Sequence, residues 1–131
     1  MQTNIIDFLT EKISPNLIYI FGSTEKGTSN KNSDIDIAYL SDQEIYEYET
    51  FMMAQELAGN INFDVDLIDL KKASTVFQGQ VVSTGKVIYN KNNDIRMNYE
   101  MKTLKMYAKL NEERQVITDK VEESGIIFNE E

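Results

Sequence analysis

The chain has 131 residues, about the size of one ordinary domain, so one hydrophobic core and one functional site are expected. Thirteen lysine and arginine residues stand against 22 aspartate and glutamate residues, and the formal net charge of −9 disfavours general binding to nucleic acid or to an anionic membrane. Histidine and cysteine are absent, which excludes an imidazole base, a thiolate nucleophile, a disulfide framework and a Cys/His zinc site, so catalysis must use carboxylates, hydroxyls, lysine or arginine and a hard metal ion.

The first quarter of the chain predicts a helix, a strand and a turn. Apolar residues recur at three-to-four-residue spacing ahead of Pro15, which is typical of an amphipathic helix ending before the proline: Ile5, Leu9 and Ile13. Residues 17–21 form a short apolar run and predict a buried strand. Residues 24–33 contain no large apolar side chain and are rich in turn formers, so they predict an exposed turn or a very short helix.

The middle of the chain predicts two further strands with a helix between them. Residues 34–40 are the second strand. Ser41 is followed three residues later by Glu44, a capping-box pattern that predicts a helix over residues 42–58 with Gly59 as its C-terminal stop. Residues 63–70 alternate and predict a third strand, with these side chains on one face: Asp64, Asp66 and Ile68.

The last third of the chain predicts a helix, a short strand and a long helical segment. One helix runs through Val76, Phe77 and Val81 and ends near Gly85, and residues 87–89 form the final strand. From Asp94 to about Glu123 the pattern is helical, with this apolar stripe: Tyr99, Thr103, Met106, Leu110, Ile117 and Val121. We expect the stripe to pack on the chain's own core or to face a partner.

The length of this C-terminal segment raises a question of packing. An unbroken helix would be about 45 Å long, which exceeds the width of a domain of this size. It must therefore break, protrude or be covered, and Asn111 is a suitable N-cap for a second helix. The apolar residues 125–128 form a tail that is either tucked in or available to another surface.

The order of the predicted elements indicates an α/β (α+β) fold with one mixed sheet flanked by helices. Residues 1–92 are expected to form the core, and residues 93–131 a C-terminal helical extension and tail of the same domain. No stretch approaches the length needed to span a membrane, and the N-terminus lacks a basic region followed by a long apolar run. We therefore expect a cytoplasmic protein.

The candidate chemistry is concentrated in two aspartates on the second strand. Asp34 and Asp36 are two residues apart, so both carboxylates project from the same face and repel each other unless a cation lies between them. Oxygen-only ligands suit Mg²⁺ or Mn²⁺ and disfavour zinc. A third acid from a neighbouring strand could complete a two-metal site for in-line displacement at phosphorus. Asp66 is the first candidate for this acid and Asp64 the second, while Asp69 is most simply a solvated or helix-capping charge.

A phosphate-binding corner is expected just before these aspartates. Gly22 and Ser23 follow the first strand, where free backbone N–H groups and a hydroxyl can hold phosphate oxygens. Lys26, and less favourably Lys31, would supply a positive charge for a β- or γ-phosphate.

This pattern of Gly-Ser, ten residues and Asp-x-Asp resembles the signature of the polymerase-β-like nucleotidyltransferases. Residues 65–70 and 85–89 look like the later blocks of the minimal nucleotidyltransferases (MNT), the single-domain antitoxins of HEPN/MNT toxin–antitoxin pairs. The resemblance covers roughly residues 17–110. It implies the polymerase-β-like fold and AMP transfer from ATP to a tyrosine of a partner HEPN ribonuclease, with which the chain would form a hetero-oligomer.

The resemblance also implies a role for each matching residue. Gly22 and Ser23 would bind the triphosphate, Asp34 and Asp36 would hold the metals, and Asp66 would help to activate the acceptor hydroxyl. Many relatives carry arginine directly after Gly-Ser, where this chain has threonine, so phosphate binding would depend more on Lys26. Two alternatives remain open: transfer of a nucleotide to a small hydroxyl compound such as an aminoglycoside, and an antitoxin that acts by contact alone.

Overall fold

The computed structural model describes residues 1–22 and 34–123, and the side chains within this part except those of residues 115–123. Ser23, Lys26, Lys31, the turn predicted over residues 24–33 and the apolar tail at residues 125–128 lie outside the described residues. The described part contains these elements in chain order: α1 (Gln2–Ile13), β1 (Leu17–Phe21), β2 (Ile35–Leu40), α2 (Glu47–Ile61), β3 (Val65–Asp69), a 3-10 turn (Leu70–Lys72), α3 (Thr75–Thr84), β4 (Lys86–Asn90) and α4 (Asn93–Glu123).

The four strands form one mixed sheet in the order β3-β2-β1-β4. β1 lies in the middle of this order and is antiparallel to both β2 and β4, whereas β2 and β3 are parallel. The predicted α/β class with a single mixed sheet is confirmed. The parallel pair matters most for function, because it brings the N-terminal ends of β2 and β3 to the same edge of the sheet.

The sheet divides the hydrophobic core expected for a single domain into two clusters, one on each face. Because side chains alternate along a strand, Ile18 and Ile37 point to the face covered by α1 and α2. Tyr19 and Ala38 point to the opposite face, where α3 and α4 pack. The sheet is thus the middle layer of the domain, and the site described below lies at one end of the face that α3 and α4 cover.

The prediction for α2 is wrong at both ends. Ser41 does not cap a helix beginning at residue 42: its hydroxyl donates to the carbonyl of Ile13 at 2.7 Å and accepts from the N–H of Gln43 at 3.1 Å. The helix begins at Glu47 instead, and the carboxylate of Glu49 accepts from the N–H of Tyr46 at 2.9 Å. Gly59 lies inside the helix, which continues to Ile61 and ends at Asn62 with φ 61°.

The helical pattern expected from Asp94 to about Glu123 is confirmed, and of the alternatives left open the break at Asn111 does not occur, because α4 is one helix of 31 residues. Its first half packs on α3 and the sheet, where the hydroxyl of Tyr99 donates to Gln78 at 2.7 Å. Thr103 is buried, but Met106 is half exposed at 50%, so the stripe follows four-residue spacing through Tyr107 instead. None of the described helices combines the length and apolar character needed to cross a membrane.

Candidate active site

The structure places Asp36 and Asp66 directly opposite each other on β2 and β3. Residues paired across a parallel ladder point to the same face, and adjacent strands lie about 4.8 Å apart. The next pair on this face, Ala38 and Ile68, packs into the core under α3 and α4. The two carboxylates therefore emerge side by side at the end of that core, where the sheet face opens to solvent.

Asp36 is the acid of the site whose pKa is raised by its surroundings. Burial raises the pKa of its carboxyl group, and the nearby charges of Asp66 and Asp34 raise it further. Asp36 is half buried, whereas Asp34 and Asp66 are exposed. Carboxylates on neighbouring strands repel each other, and a bound cation would relieve this repulsion.

The donor set fits a hard divalent cation whose coordination is completed by a substrate. Within residues 1–22 and 34–123, no three acidic side chains stand close enough to form a complete metal site. The charges of Asp34 and Asp66 act on Asp36, but the three residues do not form a closed cage of ligands. Mg²⁺ is commonly bound by one or two carboxylates plus substrate phosphates and water, so an open pair of acids is compatible with it.

Gly22 forms the wall of the site opposite β3. It follows Phe21, the residue of β1 that pairs with Asp36, and has a φ of 76°. A Cβ atom at this position would lie 2.3 Å from Oδ2 of Asp36. Glycine is therefore needed twice, for the left-handed turn of the backbone and for the close approach of the carboxylate. We call this close approach of Gly22 to the carboxylate of Asp36 the Gly22 cradle. It places main-chain atoms beside the acids, as a phosphate-binding corner requires.

The register favours Asp66 over Asp64 as the third acid. Asp64 precedes β3, and its carbonyl oxygen accepts the N–H of Ile35 at 2.8 Å, which starts the parallel ladder. Asp66 is the residue that faces Asp36 and raises its pKa. The phosphate roles expected of Ser23 and Lys26 fall outside the described residues and stay predictions.

Asp69 was not expected to be a buried group. Its capping role is present, since Oδ1 accepts from the N–H of Lys71 at 3.0 Å, but the residue is only 8% exposed. Its second oxygen, Oδ2, is buried, and the carboxylate interacts with the hydroxyl of Tyr39, the residue opposite it on β2. The alternation of β3 places Asp69 on the opposite face from Asp66, and this was the one available signal that the two acids differ in environment.

Comparison with known proteins gives concordant results. The family model for polymerase beta nucleotidyltransferases matches residues 3–94. Over 121 residues the chain is 42% identical to protein adenylyltransferase MntA of Shewanella oneidensis, which covers 92% of this chain and 86% of that protein. It is also similar to a chain of a crystallised toxin–antitoxin complex with AMP-PNP, with a TM-score of 0.81, 42% identity and coverage of 92% and 97% of the two chains. A chain from the complex of a tri-AMPylated Shewanella oneidensis HEPN toxin with its MNT antitoxin gives a TM-score of 0.76, 38% identity and coverage of 92% and 94%.

Proposed function

Because the chain belongs to the polymerase beta nucleotidyltransferase family, we propose that it is an antitoxin that transfers AMP from ATP to a tyrosine hydroxyl of a HEPN toxin. The observation that carries the proposal is the pairing of Asp36 with Asp66 beside the Gly22 cradle. The acceptor oxygen attacks the α-phosphorus in line, the bond to the bridging oxygen breaks, and pyrophosphate leaves. The phenolic proton passes to a carboxylate or to water.

Each residue of the site has a distinct part in this reaction. Gly22 and Ser23 hold the triphosphate with main-chain N–H groups and a hydroxyl, and Lys26 adds a positive charge. Asp34 and Asp36 would hold Mg²⁺ or Mn²⁺, which supplies charge neutralisation at the phosphates when bound. Asp66 faces the acceptor and takes part in activating its hydroxyl.

The acceptor is expected to be a macromolecule that contributes its own binding surface. In the part of the chain that the structure describes, the sheet and its four helices form the core around the candidate site, and none of these elements forms a separate acceptor-binding domain. The solved relatives are named as complexes of a HEPN toxin with an MNT antitoxin, and one of these toxins is AMPylated. We therefore propose a hetero-oligomer with a HEPN toxin. The use of ATP suggests that the pair acts in the cytoplasm.

Neutralisation by contact alone is the second candidate, and one observation favours it. α4 exposes three large apolar side chains at helical spacing on the side away from Thr103: Met97, Met101 and Leu104. Such a stripe is typical of a surface that packs against another protein. Contact and catalysis are compatible, but only one of them requires the aspartates.

ATP labelled at the α-phosphate separates these candidates. The expected result is label on the purified toxin in the presence of Mg²⁺, and none with the variant that combines Asp34→Ala and Asp36→Ala. The variant that combines Asp7→Ala and Glu11→Ala also removes two negative charges, from exposed positions on α1, and should retain transfer. Label on an aminoglycoside but not on the toxin would support the small-molecule reaction instead. Toxin inhibition by the double variant would support contact alone.

A further inference from the structure

A groove of about 600 Å³ runs along the free side of β3. Among the strands of the described chain, β3 has a neighbour on one side only, which is β2. All five residues of β3 line the groove, and the opposite wall includes Phe51 of α2 and Lys72 of the 3-10 turn. An edge strand of this kind presents main-chain groups to which another chain can pair.

The hydrogen-bond ladder fixes which main-chain groups face the groove. The N–H of Ile35 donates to the carbonyl of Asp64 at 2.8 Å. In a parallel pair, alternate residues of one strand bond to the same neighbour, so Asp66 and Ile68 also direct their N–H and carbonyl groups toward β2. Val65, Leu67 and Asp69 consequently direct theirs outward, into the groove.

The carboxylate of Asp69 is not a docking point for a ligand in the groove. Its Oδ1 accepts from the N–H of Lys71, and its Oδ2 is buried on the side where the hydroxyl of Tyr39 interacts with the carboxylate. A ligand in the groove would therefore bind mainly through the main-chain edge of β3.

The remaining lining indicates the chemistry of that ligand. Glu47, Asp66 and Asp69 contribute negative charge, and Lys72 is the one basic residue in the lining. Phe51 is 58% exposed and forms an apolar wall. An extended peptide with a basic side chain near Glu47 or Asp66 and an apolar side chain over Phe51 matches these features.

We propose that an extended segment of the toxin adds to β3 as an edge strand, with a basic side chain beside the acidic lining and an apolar side chain over Phe51. The proposal rests on the proposed function for the identity of the partner. Asp66 belongs both to the groove lining and to the candidate active site. A segment of about five residues spans about 17 Å, enough to run from Asp69 past Asp66, so the groove would guide an acceptor toward the reacting phosphate.

Hydrogen exchange of the complex, measured residue by residue, tests the pairing directly. When the cognate HEPN toxin binds without ATP, the amides of Val65 and Leu67 should gain at least about tenfold protection. The amides of Asp66 and Ile68, already bonded to β2, should change much less. Unchanged exchange at Val65 and Leu67 in a saturated complex would overturn the proposal.

Two substitutions with a matched control test the groove side chains. Glu47→Gln removes one negative charge from the exposed lining, and Phe51→Ala removes the apolar wall. Each should weaken toxin binding about tenfold or more. Met52→Ala is the control, because Met52 is 46% exposed on the same helix but lines a different hollow. Circular dichroism establishes that all three variants are folded.

Transfer of AMP by the unmodified chain, measured in parallel, separates this proposal from the proposed function. Normal transfer, with toxin binding unaltered in both groove variants, would overturn the groove proposal and leave the proposed function intact. Protection of Val65 and Leu67 without any transfer of AMP would support the groove and contradict the proposed reaction.

Discussion

Replacing Gly22 with alanine tests how closely the active site depends on the backbone beside Asp36. The new Cβ atom would lie 2.3 Å from Oδ2 of Asp36, whereas ordinary contacts begin near 3.4 Å, so the carboxylate must move by about 1 Å. A displacement of that size in a catalytic site reduces the rate by about 100-fold. The φ of 76° adds a left-handed conformation that costs an alanine about 1–2 kcal/mol.

The assay for Gly22→Ala is the initial rate of AMP transfer to the toxin at saturating toxin, together with thermal unfolding. Gly59→Ala is the matched control, because it lies in the exposed interior of α2 and a Cβ there meets nothing within 4 Å. We expect Gly59→Ala to retain transfer and to gain about 0.5–1 kcal/mol of stability. A Gly22→Ala variant that is folded and transfers AMP within about threefold of the normal rate would refute the reasoning, since a 1 Å displacement should cost far more.

Three further substitutions probe the same structure. Asp36→Asn should abolish transfer and raise the melting temperature near pH 7. Because the pKa of Asp36 is raised in the folded chain, its ionisation lowers the stability of the folded state as pH increases, so the gain in melting temperature should vanish as pH falls toward the ordinary pKa of 3.8. A lower melting temperature of the variant at pH 7 would contradict this reasoning. Gly79→Ala should lower the free energy of unfolding by about 1–3 kcal/mol in urea, because its Cβ would lie 2.3 Å from the ring of Tyr107, and adding Tyr107→Ala should recover part of this loss. Tyr19→Phe should cost about 1–2 kcal/mol by the same measurement, because it deletes the buried 2.7 Å hydrogen bond to Glu100, and an unchanged free energy of unfolding would show that this bond does not secure α4.

Most of the fold could be predicted because the chain has clear hydrophobic patterns and few ambiguous boundaries. Pro15 marks the end of α1 and Gly85 the end of α3, and apolar runs locate three strands between these residues and a fourth directly after Gly85. The start of α2 could not be predicted in the same way. The hydroxyl of Ser41 bonds to the carbonyl of Ile13, a distant partner that a local capping pattern does not reveal.

The sequence left the continuity of α4 open for a related reason. Asn111 has a good N-cap side chain, but asparagine is also tolerated in an exposed helix interior, where its cost is a fraction of a kcal/mol. Contacts near the start of the helix, such as the hydrogen bond from Tyr99 to Gln78, hold it against α3, and the helix continues beyond them. The tertiary contacts near the start of α4 thus outweigh the N-cap preference of Asn111 farther along the helix.

The features of the candidate site that follow from side-chain alternation along one strand could be predicted from the sequence. The features that follow from the register between β2 and β3 could not. The two-residue period along a strand identifies the face shared by Asp34 and Asp36 and the parity of Asp66. The sequence does not reveal that β2 and β3 are parallel with Asp36 opposite Asp66, because register is set by packing across the sheet. The burial of Asp69 follows from the position of α2 over β3, so it too required the structure.

The intact mass of the toxin recovered from cells tests the proposed reaction most directly. Toxin co-expressed with the unmodified chain should carry one or more adducts of about 329 Da each, the mass of a transferred adenylate group. Toxin co-expressed with the variant combining Asp34→Ala and Asp36→Ala should carry none. Adducts that persist with this variant, or a toxin that is neutralised by the unmodified chain without any change in mass, would contradict a metal-dependent adenylyltransferase built on these aspartates.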